Sequence, residues 1–379
     1  MLKILKKNRL SALLQIIQLT TVFIVLMFIV SSIIYRMNYY APIKDSLNRN
    51  GLCVDVSTAQ NLRTESEIRD KFPQATQIWG VLGTNVFLGN TEMNTIIYDS
   101  ETLSKLYIKL DSGNVSKLQD NSKNYCLISN GLGHDVGDEI EVTSEDKKAT
   151  LVVAGVISDN QQIMGFTQEQ ISYKNDYRDF YLSYNSDACV PIVIASENTM
   201  KKLGFNGIYT ENVIINFPKE NFDENTIIQK LSDEWAICHW SCDEFKELSE
   251  NYISEQLYVI LPIIICVLLL TIFTSISSNA INAKRNLRNY GILYLCGATW
   301  KKCMRISVVN SCFVSLISLF LSLIVLLIGK ITFWHDTVIT LGFWQILACL
   351  AALFIHVTIS MFIPLLMIGR TQPRDVLKR

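Results

Sequence analysis

Nowhere in the sequence does Gly-x-x-x-x-Gly-Lys-Ser/Thr occur, which excludes a phosphate loop of its own for holding ATP. Asp, Glu, Lys and Arg are absent from four long stretches: Leu13–Tyr35, Leu257–Ser278, Ile306–Gly329 and Leu341–Gly369. An uncharged apolar run of roughly 20 residues is what a helix needs to cross a hydrocarbon core of about 30 Å. No small-x-small cleavage pattern follows the first run at Ile33–Asn38, so it reads as a retained anchor rather than a signal peptide. The ten cysteines show no zinc-type pairing, and five of them (Cys53, Cys126, Cys189, Cys238 and Cys242) precede the second run. An odd set cannot close into a complete disulfide framework, so stability is expected from a packed core, with Cys53–Cys238 the one bridge considered.

What is present is unevenly placed. Apolar residues make up 49 % of the 379-residue chain and mean hydropathy is +0.25, high for a soluble domain of this size. The net charge of −1 hides a sharp asymmetry. Met37–Glu255 carries 33 acidic and 18 basic residues, a net charge of about −15, whereas Lys284–Arg305 carries six basic residues and no acid. Lys3, Lys6, Lys7 and Arg9 precede the first span, and Arg370, Arg374, Lys378 and Arg379 follow the last. Because positively charged flanks stay inside, both termini and the basic loop are expected in the cytoplasm and the acidic stretch outside. The expected organisation is residues 1–36 as N-terminus and first span, 37–255 as an extracytoplasmic domain, and 256–379 as three spans with a loop at 281–305 and a short tail.

Short β-type runs occur at Leu52–Val56, Ile96–Tyr98, Tyr125–Ser129, Glu139–Thr143, Thr150–Ile157, Val190–Ala195 and Asn212–Phe217. Helical patterns occur at Glu65–Phe72, Asn198–Leu203 and Glu224–Trp235, so the external domain is expected to be α+β. Gly131, Gly133 and Gly137 punctuate a strand connection as turn residues. Cys242–Gln256 reads as a helix running into the second span with no Gly-rich linker to absorb movement, and Pro262 is expected to kink it. Ser307, Ser311, Ser315, Ser318 and Ser322 form one stripe on the third span, the pattern of close helix packing. His356 lies near the middle of the fourth span, where a serine of that stripe could satisfy it. Cys238-His239-Trp240-Ser241-Cys242 is short of a closed zinc site.

The stretch Asn282–Ser311 contains Tyr290-Gly291-Ile292-Leu293 and Leu295-Cys296-Gly297-Ala298-Thr299, followed by basic residues and a new span. With the one-plus-three span plan and the tail Gln372-Pro373-Arg374-Asp375-Val376-Leu377, it resembles the FtsX-like, MacB-type permeases of ABC transporters. Asn289 and Tyr294 depart from that family, which often has an acidic and a basic residue there. The resemblance implies four transmembrane helices with an external domain of MacB core-domain type in a bacterial cytoplasmic membrane. It also implies a noncatalytic subunit that binds no cofactor itself, ATP and Mg being held by a separate ABC ATPase subunit. Arg288, Tyr290, Gly291, Ile292, Leu295, Gly297, Ala298 and Thr299 would then form the ATPase-coupling segment. The other expected partners are a second permease chain, membrane lipid and an extracytoplasmic protein or peptide, with no nucleic acid. The implied work is export of, or resistance to, peptides, toxins or lipoproteins; the alternatives are transmembrane control of a cell-wall hydrolase and a merely anchored sensor.

Overall fold

The computed structural model describes residues 9–56, 63–144, 147–165, 174–219, 223–235, 239–332 and 342–370. Two compact units emerge, Arg36–Ser254 and Met1–Tyr35 with Glu255–Arg379.

The first unit is α+β. Its main sheet is built from β1 Gly51–Asp55, β2 Gln77–Leu88, β3 Thr91–Tyr98, β4 Leu110–Gly113, β5 Tyr125–Ser129, β6 Glu139–Ser144, β7 Lys147–Ile157, β10 Ile192–Ser196, β11 Ile208–Asn216 and β12 His239–Ser241, while β8 Gln161–Met164 and β9 Tyr181–Tyr184 form a separate pair. The ten strands run in the order β12-β1-β11-β2-β3-β10-β5-β7-β4, with β6 pairing β2 and β7. β1 and β10 are buried along their full length, which explains their apolar stretches Leu52–Val54 and Ile192–Ala195. β6 alternates buried with more exposed positions and hydrogen-bonds along β7, then reaches β2 at Phe87↔Thr143. Strands β2, β3, β10, β5, β7 and β6 thereby close a ring of pairings, a device that removes open edges.

Two cores follow from this topology. One gathers Val86, Met93, Ile128, Val142, Leu151 and Val153 from the ring strands. The other gathers Leu52, Val54 and Val213 from β1 and β11 with Ile68 and Phe72 near α2 (Glu65–Lys71) and Leu231 of α5 (Glu224–Trp235). Thr64 starts α2 with a full capping box: its side chain accepts from Glu67 N–H, and the Glu67 carboxylate accepts from Thr64 N–H at 2.9 Å. Two more short helices, α3 Ser100–Lys105 and α4 Glu197–Leu203, complete the unit. Gly131, Gly133 and Gly137 take positive φ in the link between β5 and β6. Among the described residues no disulfide forms, and burial pushes the Cys126 and Cys242 thiols up to about 12; Cys238 lies outside the described residues.

The second unit is helical. α1 (Arg9–Leu47), α6 (Cys242–Leu295), α7 (Trp300–Thr332) and α8 (Phe343–Arg370) each contain a segment long and apolar enough to cross a membrane. Helix α1 continues about three turns past the expected span into polar sequence that hydropathy does not register, whereas α6 starts at Cys242, where a helix leading into the second span is expected. Ser241 Oγ accepts from Glu244 N–H at 3.1 Å at the start of α6, and Asp243 and Glu244 complement the helix dipole. Pro262 lies inside α6 without ending it. Leu19, Phe23 and Met27 of α1 pack with Leu319 and Leu326 of α7 and Cys349 of α8.

Candidate coupling elements

The junction between α6 and α7 is a tight helix–turn–helix. Gly297 adopts φ +88°, its N–H donates to Tyr294 O at 3.0 Å, and Ala298 N–H donates to Leu293 O at 3.0 Å. These paired bonds are the Schellman stop, which requires a left-handed residue after the last helical turn. Thr299 O then accepts from Lys302 N–H at 2.9 Å to open α7. Nothing lies within 4 Å of where a Gly297 Cβ would point, so glycine is required there by backbone conformation rather than by space.

The residues expected in the coupling segment separate into two sets. Tyr290 and Gly291 are buried, Tyr290 packing with Ala283, Cys303 and Ile368 to hold α6, α7 and α8 together under the turn. Arg288, Ile292, Leu295, Gly297 and Thr299 are exposed and Ala298 is half-buried, with Leu295 67 % exposed. Around them Lys284, Arg285, Lys301, Lys302 and Arg305 are also exposed. The outcome is an apolar tip ringed by cations on a rigid turn, a surface suited to an apolar groove with acidic edges.

A second arrangement lies in the α+β unit, where the helix ends Arg36–Leu47 of α1 and Cys242–Ser254 of α6 meet. Between them sits one 3-10 turn, Tyr177–Phe180, opened by Asp176, whose carboxylate accepts from Arg178 N–H at 2.9 Å. Tyr40 and Tyr252 contact the Tyr177 ring from the two helices, with centroids 5.9 Å away in each case. Phe180 meets Phe245 of α6 at 5.7 Å and Trp79 of β2 at 5.4 Å. Tyr181 reaches α1 by donating its hydroxyl to Tyr39 O at 2.8 Å. Ser249 accepts from Tyr177 N–H at 2.9 Å and donates to Phe245 O at 2.7 Å. The guanidinium groups of Arg36 and Arg178 lie 4.2 and 3.5 Å from the Tyr252 ring centroid, and Arg178 is ion-paired with the buried Asp176. One aromatic clamp therefore ties both helix ends to the sheet. Sequence reasoning left it out, although the density of rings in Asp176–Tyr184 was the available signal.

In the helical unit, Ser311, Ser315, Ser318 and Ser322 are buried and Ser307 half-buried. Their bonds are mostly internal: Ser318 donates to Val314 O and Ser322 to Leu319 O, at 2.9 and 2.7 Å. At Ser318 and Ser322 small size, rather than bonding across the interface, is thus what the serine contributes. Ser307 and Ser315 reach other helices: Ser307 bonds the Tyr290 side chain of α6, and Ser315 lies 3.5 Å from His356 Nδ1, while His356 Nε2 lies 2.8 Å from Ser275 Oγ of α6. One buried imidazole so joins α6, α7 and α8. The tail resembling the family's ending, Gln372–Leu377, lies outside the described residues.

Three solved structures show weak similarity to the chain. The extracellular domain of the noncanonic ABC-type transporter YknZ from Gram-positive bacteria is 10 % identical with a TM-score of 0.26, over 51 % of this chain and 98 % of that one. The periplasmic region of MacB from Actinobacillus actinomycetemcomitans is 9 % identical with a TM-score of 0.27, over 55 % and 96 %. A domain of a putative permease protein from Porphyromonas gingivalis is 13 % identical with a TM-score of 0.24, over 52 % and 90 %. No curated protein matches the sequence. Residues 261–373 match the family model for the FtsX-like permease C-terminal region. That segment takes in the apolar part of α6, the Gly297 turn and all of α7 and α8, so the chain's C-terminal region is similar to the FtsX-like permease C-terminal region.

Proposed function

We propose that this chain is the membrane subunit of an ABC transporter in a bacterial cytoplasmic membrane, coupling ATP hydrolysis on a separate ATPase to movement of its extracytoplasmic α+β unit. The observation that carries the reading is the α6–α7 turn, where exposed Ile292 and Leu295 stand among six exposed cations on a glycine-stopped helix end. Lipid alone would account for the cations but not for an apolar tip held on so defined a turn. Nothing in the chain supplies a phosphate loop, so ATP and Mg belong to the partner.

Force would travel along α6, which is helical without interruption from Cys242 to Leu295. Its outer end would deliver that movement to the aromatic clamp and hence to the sheet. The small-residue face of α7 is buried within the chain and serves its own helix packing, so a second permease chain would meet a different face. The cargo class in this reading is a peptide, toxin or lipoprotein handled at the outer face. Control of a cell-wall hydrolase would use the same turn and helix, with a protein partner in place of cargo.

Affinity purification of the tagged chain with its cognate ATPase tests the contact. Leu295→Asp is expected to lose the ATPase, whereas Phe87→Asp, an exposed change in the α+β unit, is expected to retain it. Equal recovery of ATPase by the native chain and Leu295→Asp contradicts the assignment.

A further inference from the structure

Glu211 lies within the irregular stretch of β11 where the pairing register with β2 shifts between Tyr209 and Val213. Its carbonyl accepts from Val56 N–H at 2.8 Å, which extends the β1–β11 ladder by one bond. The residue is 7 % exposed, and Oε1 is buried with no hydrogen-bond partner among the described residues. Among the described residues, the charges that bear on it are Asp55 at the end of β1 and Asp179 on the clamp turn, both acidic. Asp179 holds the turn in place: its carboxylate accepts from Lys174 and Asn175 N–H at 2.8 and 2.7 Å, and its carbonyl accepts from Asn212 Nδ2 at 3.0 Å. The nearby cation Arg178 is committed to Asp176.

A carboxylate with one oxygen buried and met by no donor among the described residues, beside two other acids, is neutralised by a cation or a proton. Among the described residues no group of His, Cys, Asp and Glu side chains has the arrangement to hold a metal. We propose that Glu211 is a proton-binding site, neutral when the α+β unit is at rest, and that its ionisation sets Glu211, Asp55 and Asp179 against one another and loosens the clamp turn. Burial, then the charges of Asp55 and Asp179, raise the Glu211 carboxyl from 4.5 to about 8. Burial holds Asp179 above its ordinary range as well. The proton site stands on the α+β unit alone and does not depend on the transporter reading.

The folded state binds this proton more tightly than the unfolded chain. Its stabilising contribution is therefore complete below about 4.5 and is lost as pH rises through about 8. Thermal unfolding of the full chain in nanodiscs, followed by tryptophan fluorescence across this range, tests the assignment; Trp79 and Trp240 stand against Phe180 and Phe245 and report on the clamp. The midpoint of the native chain is expected to fall relative to Glu211→Gln as pH rises, with the difference levelling off above about 8. Asp55→Asn removes one repelling charge and is expected to move that fall to lower pH. A constant difference between native and Glu211→Gln at all pH values overturns the proposal, as does an Asp55→Asn curve that coincides with the native one. A native midpoint that depends on added calcium and not on pH overturns it in favour of a metal.

Discussion

The two units differ in the small and polar side chains they bury beside their apolar ones. In the α+β unit the interior is Leu52, Val54, Ile68, Phe72, Val213 and Leu231, as water-driven burial requires. In the helical unit much of the interior is small or polar, with Ser275, Ser315, Ser318, Ser322, Ser360, Gln345 and His356 all buried, while Phe320, Phe354 and Phe362 are exposed. Lipid tails are as apolar as leucine, so burying leucine gains little there and close backbone approach gains more. The same amino acid thus carries a different energetic weight in the two units.

Paired substitutions sharpen that contrast. Leu231→Ala, wholly buried, is expected to cost about 2–5 kcal/mol in denaturant unfolding of the α+β unit. Phe354→Ala removes more side chain but from an exposed position, and is expected to leave the helical unit's unfolding in detergent unchanged within about 0.5 kcal/mol. A large Phe354→Ala effect would break the comparison. Ser318→Leu, which adds volume at a fully buried seam position, is expected to cost about 1–3 kcal/mol in the same detergent titration, with Ser318→Ala nearly neutral. Thr64→Ala, which removes half of the α2 capping box, is expected to lower stability of the α+β unit by about 1 kcal/mol. A small effect is also expected from Ser275→Ala: His356 loses its 2.8 Å partner, but such bonds in membranes average about 0.6 kcal/mol.

Legibility in the sequence followed the strength of each local signal. The four spans were plain because an uncharged apolar helix of that length matches the thickness of the hydrocarbon core and would be poorly solvated in water. Strand β5 occupies the expected Tyr125–Ser129, and β6 extends the expected run only to Ser144. Strand β2, the longest, was missed because Gly80 and Gly83 resemble strand breakers. In the structure a Cβ on Gly83 would lie 2.4 Å from Thr210 Cγ2, so that glycine permits close strand approach instead. The clamp was illegible on different grounds: its rings come from four separated segments, and no periodicity joins Tyr40, Trp79, Tyr177 and Tyr252. Within the expected coupling segment the motif located the turn, but not that Tyr290 is buried and Leu295 exposed. The helix expected from Cys242 into the second span is present, and α6 runs unbroken from there to Leu295.

Continuity of α6 between the turn and the clamp is the central claim, and hydrogen exchange at Tyr177–Tyr184 tests it most directly. The full chain would be reconstituted with its ATPase, and exchange compared with and without ATP, in the native protein and after insertion of Gly-Gly-Gly between Glu255 and Gln256. The account predicts an ATP-dependent change at the clamp in the native complex that the insertion abolishes while ATP hydrolysis continues. A change that survives the insertion, or a native clamp indifferent to ATP, would contradict it.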